Sequence, residues 1–172
     1  MLKKFLLLPF VLIVGLMVWN CSKGKISITI AGSTAFQPFA EKLADQYMTS
    51  HPDIAITVQG GGSAVGIQSA NSGAAQIGMA DLVMLPEEAK ALTATIVAKD
   101  GIAVVVNPQN KVVNLSTDQV RDIFNGKITN WKEVGGVDAP ITVVSREAGS
   151  GTRSSFEQIV GNINLKKDAL IQ

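Results

Sequence analysis

Alternation of apolar and polar residues marks the first predicted strand of the chain. Residues Ile26–Ile30 read Ile-Ser-Ile-Thr-Ile, the period of two that is typical of a strand with one buried face. Over Phe36–Tyr47 the apolar residues recur every three or four positions, which predicts an amphipathic helix running to about Ser50. Thr34 and Gln37 stand three positions apart, so we expect them to form the capping box of that helix.

Strand and helix patterns then alternate along the rest of the chain. Short runs rich in β-branched and other apolar residues predict strands at Ile54–Gln59, Gln76–Ala80, Thr95–Ala98, Gly101–Val106 and Ile141–Val144. Of these, Gly101–Val106 is apolar without interruption, which predicts a strand buried on both faces. Helical patterns begin at Ala64, at Pro86, at Ser116 and after the loop that ends at Arg153. This order indicates an α/β fold with a largely parallel sheet.

The last two helices carry more detailed predictions. Ser116 and Gln119 fit a second capping box, and Gly126 is expected to end that helix. Its predicted inner face consists of Val120, Ile123 and Phe124. In the final helix the residues predicted to share one apolar face are Phe156, Ile159 and Val160.

The N-terminus has the pattern of a targeting segment. Lys3 and Lys4 precede an apolar run, Phe5–Trp19, of about fifteen residues, which suits a signal peptide over residues 1–20 and is short for a membrane span. Cys21 follows and resembles the acceptor cysteine of a bacterial lipoprotein, although Trp19-Asn20 stands where such signals usually place small residues. We expect lipid attachment at Cys21, with an uncleaved anchor or ordinary cleavage as alternatives. Each of them predicts an extracytoplasmic protein.

Composition excludes several classes of function. The formal net charge of the 172 residues is +1, so there is no broad basic surface of the kind used to bind nucleic acid. One cysteine and one histidine provide little for a metal site or a disulfide framework. His51 follows a predicted helix far from any candidate nucleophile, which argues against a serine-histidine-aspartate triad. We therefore expect a protein that binds without turnover and needs no metal or cofactor.

Three predicted loops share a design in which small residues and a hydroxyl precede a helix. They are Gly32-Ser33-Thr34, Gly62-Ser63 and Gly149-Ser150-Gly151-Thr152. Loops at the carboxyl ends of strands in an open α/β sheet bind ligands, and a helix N-terminus with unpaired N–H groups attracts anions. Arg146 adds a planar cationic fork that suits an oxyanion. Together these features predict an anion site.

A carboxylate in this set, Asp81, constrains the identity of the anion. It follows the short predicted strand Gln76–Ala80. A carboxylate repels an anion unless that anion has a proton to donate, as hydrogen phosphate has at neutral pH and sulfate has not. We therefore predict that Asp81 selects phosphate over sulfate by penalising the wrong ligand. A surface or capping aspartate at a strand end is the alternative interpretation.

Several stretches resemble the phosphate-specific substrate-binding proteins of bacterial phosphate ABC transporters, within the periplasmic binding protein family. In chain order they are GSTAFQPFAEKLADQY, GGGSAVGI, IGMAD, VVVNPQN, LSTDQVRDIFNGKITNW and SREAGSGTR. The resemblance implies two α/β lobes that close on phosphate. It places the first part of lobe I at residues 21–100 and a crossover plus a truncated lobe II at residues 101–172. The family sequence continues beyond the equivalent of Gln172, so the second lobe is expected to be incomplete in this chain.

The resemblance also assigns residues and partners. It implies that Ser33, Thr34 and Ala35 contact phosphate through hydroxyls and backbone N–H groups, that Ser63 and Asp81 complete the wall of the first lobe, and that the second wall consists of Arg146, Ser150, Gly151 and Thr152. The implied function is extracytoplasmic phosphate binding by a monomer for delivery to the permease subunits of an ABC importer. The first alternative is binding or sensing of another tetrahedral oxyanion (sulfate, molybdate or tungstate). A second, less favoured alternative is hydrolysis of phosphoesters.

Overall fold

A computed structural model describes residues 24–172 of the chain. The predicted signal peptide and Cys21 lie outside the described residues, so the structure does not bear on them. Within residues 24–172 no helix combines the length and the apolar character needed to cross a membrane.

The first half of the described chain forms a parallel three-stranded sheet in the order β2-β1-β3. Its strands are β1 (Ile26–Gly32), β2 (Ile54–Gln59) and β3 (Ile77–Met79). Helix α1 (Gln37–Ser50) connects β1 to β2, and helix α2 (Ser63–Ser72) connects β2 to β3. The register pairs β1 with β2 over six residues, from Ile26 opposite Ile54 to Ala31 opposite Gln59. Strand-helix-strand units of this kind confirm the predicted α/β class.

Helix α2 packs directly against the backbone of the sheet because both surfaces carry glycine. A Cβ at Gly66 would overlap Met79 O and would lie 2.9 Å from both Ala31 O and the Gly32 Cα. A Cβ at Gly78 would in turn overlap the Gly66 carbonyl oxygen. Contacts this short mean that a larger residue at either position would force the helix and the sheet backbone apart. The close approach sets the N-terminus of α2 beside the carboxyl ends of β1 and β3.

The second half forms a smaller unit around two parallel strands, β4 (Val144–Ser145) and β5 (Leu170–Ile171). Helix α3 (Thr117–Phe124) and helix α4 (Gly151–Val160) belong to it, with a 3-10 turn at Trp131–Val134. Its core is Ile123, Ile141 and Val143, packed against residues that include Phe124 and Trp131. The rings of Phe124 and Phe156 lie 4.6 Å apart and join α3 to α4.

Helix α3 matches its prediction in detail. Ser116 Oγ accepts the N–H of Gln119, and the Gln119 side chain accepts the N–H of Ser116, so the capping box is present. Ile123 is buried as predicted, and Gly126 follows the helix with a φ of 75°. A residue without a Cβ takes that left-handed conformation at little cost, which is why the helix ends there.

The N-terminus of α1 differs from the prediction. Residues 34–36 form a turn and the helix begins at Gln37, so Thr34 is not its cap. The hydroxyl of Ser33 accepts the Phe36 N–H at 3.1 Å instead, and the Gln37 side chain donates to Glu41. The Gln37 N–H, which Thr34 was expected to bind, donates to the Ser33 carbonyl at 3.0 Å.

Two predicted strands, one predicted helix and one position of a predicted helix face are also wrong. Residues 93–106 contain no strand, and the side chains of Ile96 and Val105 are 86% and 85% exposed. An apolar run becomes a buried strand only beside other strands, and no described residue pairs with this segment. The helix predicted at Pro86 is a single 3-10 turn, Glu87–Ala89. Ile159, predicted on the inner face of α4, is 64% exposed.

Candidate anion-binding site

The three hydroxyl-bearing loops meet in the structure. The Gly62 N–H donates to Gly32 O at 3.0 Å, and the Ala64 N–H donates to Gly149 O at 3.3 Å. Gly62 has a φ of 86°, and a Cβ there would lie 2.8 Å from Gly149 O. The loop before α4 therefore rests on the N-terminus of α2, and the loop after β1 contacts the same N-terminus.

Asp81 lies at the centre of this junction and is half-buried. Ser63 Oγ donates to Asp81 Oδ1 at 2.5 Å, and Thr152 Oγ1 donates to Asp81 Oδ2 at 2.9 Å. The same Ser63 oxygen accepts the Asp81 N–H at 3.1 Å. The carboxylate thus joins a residue of α2 to a residue of α4, and its two oxygens are held in a defined orientation.

Small residues are required beside the carboxylate. A Cβ at Gly151 would overlap both Ser63 Oγ and Asp81 Oδ1, so glycine lets the first turn of α4 approach them. The N-terminal turn of a helix carries a partial positive charge that favours a nearby carboxylate or a bound anion. Asp81 therefore sits where a negative group is stabilised.

Two buried serine hydroxyls are fixed by backbone groups. Ser150 caps α4, and its Oγ accepts the Arg153 N–H at 3.3 Å, much as Ser33 Oγ accepts the Phe36 N–H. Both side chains are 2% exposed or less. A hydroxyl that accepts one bond still has its own proton to donate. Ser33 and Ser150 can each give that proton to an anion.

The rest of the loop after β1 makes few hydrogen bonds to the other loops of the site. The Ser33 N–H donates to Met79 O at 3.0 Å, so this donor serves the fold. Thr34 and Ala35 are exposed in the turn before α1. Thr34 Oγ1 accepts the Gly61 N–H at a long 3.5 Å. The structure brings this turn next to the Gly60–Gly62 loop but forms no bond from it to Asp81.

Arg146 is paired with its neighbour. Its Nε and Nη2 donate to the two carboxylate oxygens of Glu147 at 2.8 and 2.9 Å, and Nε also lies 3.2 Å from Gln172 O. The hydrogen bond from Arg146 lowers the pKa of Glu147 below its ordinary value, aided by the backbone of Glu147 itself and opposed by slight desolvation. Within residues 24–172 no bond links the guanidinium to Asp81, Ser63 or Thr152.

One residue of the junction was not predicted from sequence. Ser155, on α4, is 3% exposed, and its hydroxyl donates to Asp81 O and accepts the Val83 N–H, both at 3.1 Å. It stands three positions after Thr152, hence on the same face of the helix. That spacing was the available signal, but a serine within a helix has no distinctive pattern.

This arrangement of side chains and helix ends defines a class of site. The described residues contain no group of three or more histidine, cysteine, aspartate or glutamate side chains able to hold a metal ion. What converges is a set of hydroxyls, two helix N-termini and one carboxylate, at the carboxyl edge of a parallel sheet. Such a set recognises a small oxyanion by hydrogen bonding.

Comparison with known proteins agrees with this class. The sequence model of the PBP superfamily domain matches residues 21–172, and the chain belongs to that family. The phosphate-binding protein PstS of Bacillus subtilis is 45% identical over 137 residues, which are 78% of this chain and 46% of the relative. The chain therefore spans less than half the length of that protein.

Solved structures give the same result. A phosphate ABC transporter substrate-binding protein from Clostridium perfringens, with bound phosphate, is 43% identical, with a TM-score of 0.80 over 85% of this chain and 61% of that one. An ABC-type phosphate transport receptor from Vibrio cholerae is 42% identical, with a TM-score of 0.72 over 84% and 62%. The predicted periplasmic-binding-protein-like fold is thereby confirmed. The predicted lobe boundaries stay a prediction.

Proposed function

We propose that this chain binds inorganic phosphate at the Asp81 junction. The main observation in support is the position of the Asp81 carboxylate, which lies between the hydroxyls of Ser63 and Thr152 beside the N-terminus of α4. Each carboxylate oxygen can accept two hydrogen bonds, so the two hydroxyl bonds leave acceptor capacity for a protonated phosphate oxygen. The relatives named for phosphate binding or transport support the choice of anion.

The remaining contacts belong to the same proposal. The hydroxyls of Ser33 and Ser150 and the N–H groups of Gly151 and Thr152 are the donors for the other phosphate oxygens, with the Thr34–Ala35 turn closing one side. Arg146 contributes its charge after exchanging Glu147 for the anion. These uncharged donors and one cation would balance a divalent anion without a metal.

The biological role follows as a further part of the proposal. The chain acts outside the cytoplasm as the binding component of an ABC importer, attached by lipid at Cys21, and passes phosphate to membrane permease subunits. It does no catalysis. The support is the family membership, together with relatives described as ABC transport receptors and the targeting pattern of residues 1–20.

The test is a competition between phosphate and sulfate in the wild-type chain and in Asp81→Asn. The wild type should bind phosphate much more tightly than sulfate. Asn keeps the size and removes the charge, so phosphate affinity should change little while sulfate affinity rises. The affinity ratio should fall at least about tenfold, about 1.4 kcal/mol, within the range for a buried acceptor left unpaired.

Isothermal titration at fixed pH and ionic strength measures both affinities. Asp53→Asn, which removes a carboxylate from the exposed turn before β2, is the matched control and should leave the ratio unchanged. A wild-type chain that prefers sulfate, molybdate or tungstate would favour the alternative oxyanion function. An unchanged ratio in Asp81→Asn would refute the selective role of Asp81.

A further inference from the structure

Ser155 occupies a position that the binding proposal does not use. Its side chain is 3% exposed and lies on the α4 surface that faces the segment after β3. The hydroxyl donates to the carbonyl of Asp81 and accepts the N–H of Val83. A serine at a buried helix position normally returns its hydroxyl to its own helix or to water, whereas this one bonds only to another segment.

These two bonds fix the backbone of the segment after β3, which is in neither a helix nor a strand. Residues 80–86 belong to no helix or strand, and Val83 and Met84 are 57% and 69% exposed. Asp81 lies two residues after the end of β3, and its backbone orientation determines where its carboxylate points. Ser155 holds the backbone on both sides of Leu82, at the Asp81 carbonyl and the Val83 amide, much as one paired residue does in a sheet ladder.

The same helix supplies both parts of the carboxylate environment. Thr152, one turn before Ser155, donates to Asp81 Oδ2, and Ser155 holds the Asp81 backbone. Helix α4 therefore holds Asp81 at the carboxylate and at the main-chain carbonyl, while Ser63 of α2 binds the carboxylate and the main-chain N–H. Without the Ser155 bonds, Asp81 would keep only its bonds to the hydroxyls of Ser63 and Thr152, and no other group within residues 24–172 would hold its carbonyl or the Val83 N–H.

We propose that Ser155 is a positioning residue that docks the Asp81–Val83 backbone on helix α4 and so holds the Asp81 carboxylate in its anion-selective orientation. The anion-related part of this inference rests on the proposed function. The docking part does not, because it concerns contacts within the chain alone.

The docking part is tested without any anion. Ser155→Ala should speed amide hydrogen exchange at Val83 by about tenfold or more, because that N–H loses its acceptor. Ser154→Ala is the matched control, since it removes a neighbouring hydroxyl from the same helix. Unchanged exchange at Val83 in Ser155→Ala would overturn the proposal, whether or not the chain binds phosphate.

The selectivity part is tested by combining two substitutions. In the wild-type background Ser155→Ala should lower the phosphate-to-sulfate affinity ratio by about fivefold, the equivalent of one hydrogen bond, and Ser154→Ala should not change it. In the Asp81→Asn background Ser155→Ala should leave the phosphate-to-sulfate affinity ratio unchanged, because the carboxylate that Ser155 positions is no longer present. Ser155→Thr, which keeps the hydroxyl, should restore most of the ratio.

Each result decides between positioning and a merely structural role. A lower melting temperature in Ser155→Ala with an unchanged ratio would overturn the proposal, as would an equal loss of ratio in both backgrounds. If the wild-type chain binds neither anion, the proposed function fails, and the exchange rate at Val83 alone then decides whether Ser155 docks the segment.

Discussion

At the scale of single residues, the site depends on which partner each polar group has inside the fold. The sequence pattern predicted the same role for Ser33, Ser63 and Ser150, as hydroxyls at helix starts. In the structure their hydrogen bonds differ. Ser63 gives its proton to Asp81, whereas Ser33 and Ser150 accept backbone N–H groups and keep theirs. Only the latter two have a hydroxyl proton left for an anion.

The pairing of Arg146 with Glu147 leads to a testable consequence. Glu147→Gln removes the carboxylate that competes with the anion for the guanidinium, so phosphate affinity at pH 7 should rise by up to about fivefold, the upper range for an exposed ion pair. Isothermal titration measures the change. Glu157→Gln, which breaks the Arg153 pair on α4, is the control and should not raise affinity. An unchanged or lower affinity in Glu147→Gln would contradict competition.

The effect of Glu147→Gln on folding stability should depend on pH. The pKa of Glu147 is lowered in the folded chain, so its pairing contributes stability above its ordinary pKa of 4.5, and this contribution is lost as the pH falls through the folded value. The wild type should therefore be slightly more stable than Glu147→Gln at pH 7, and the difference should vanish under more acidic conditions. Because Arg146 and Glu147 are partly exposed, this stability difference is small.

At the scale of elements, the approach of α2 to the sheet positions the first half of the site. Glycines at positions 32, 66 and 78 allow backbone-to-backbone contact, and Ser63 at the N-terminus of α2 reaches Asp81 as a result. The amphipathic pattern of α2 is weak, so its placement depends on these glycines more than on an apolar face.

Gly66→Ala tests this dependence. The added Cβ would meet only backbone atoms, which cannot move aside cheaply, so overpacking should cost about 1–3 kcal/mol of unfolding free energy despite the better helix propensity of alanine. Urea unfolding measures the loss. Gly101→Ala is the control, since a Cβ there meets nothing within 4 Å. Equal stability of Gly66→Ala and the wild type would show that α2 can move off the sheet freely.

At the scale of the whole molecule, the junction at Asp81 links the three-stranded sheet to the smaller unit around β4 and β5. The bonds Asp81–Thr152, Asp81–Ser155, Val83–Ser155 and Ala64–Gly149 cross between these two parts of the chain. The proposed binding site is therefore also the place where the two parts are held together. Occupation by an anion and contact between the parts are expected to be coupled.

Attachment to the membrane is the remaining prediction at this scale. If the chain is lipid-modified, Cys21→Ser should move it from the membrane fraction to the soluble fraction or stall its processing, because the acyl chains supply the attachment. Metabolic labelling with a fatty acid analogue tests this directly. Ser22→Ala, next to the acceptor, should keep both label and location. Absence of label on the wild type would show that Trp19-Asn20 prevents recognition.

The sequence by itself determined the local features of this protein. The periods of apolar residues predicted β1 and α1, an apolar run predicted β2, and the Gly60–Ser63 turn predicted the start of α2. The capping box of α3 followed from two side chains three positions apart. The three hydroxyl-bearing loops were also predicted, because glycine, hydroxyl residues and a helix start are adjacent in the chain. These features depend on interactions between residues that are close in the sequence, so the sequence pattern is enough to predict them.

Only the tertiary structure decided which groups meet and which stay free. It showed that the apolar runs over residues 95–106 form no strand, since a buried strand needs partners distant in sequence. It also showed Asp81 bound by Ser63 and Thr152, Arg146 turned to Glu147, and Ser155 holding the backbone after β3. A hydrogen bond between residues about seventy positions apart leaves no periodic trace, because it depends on how two units of the chain pack.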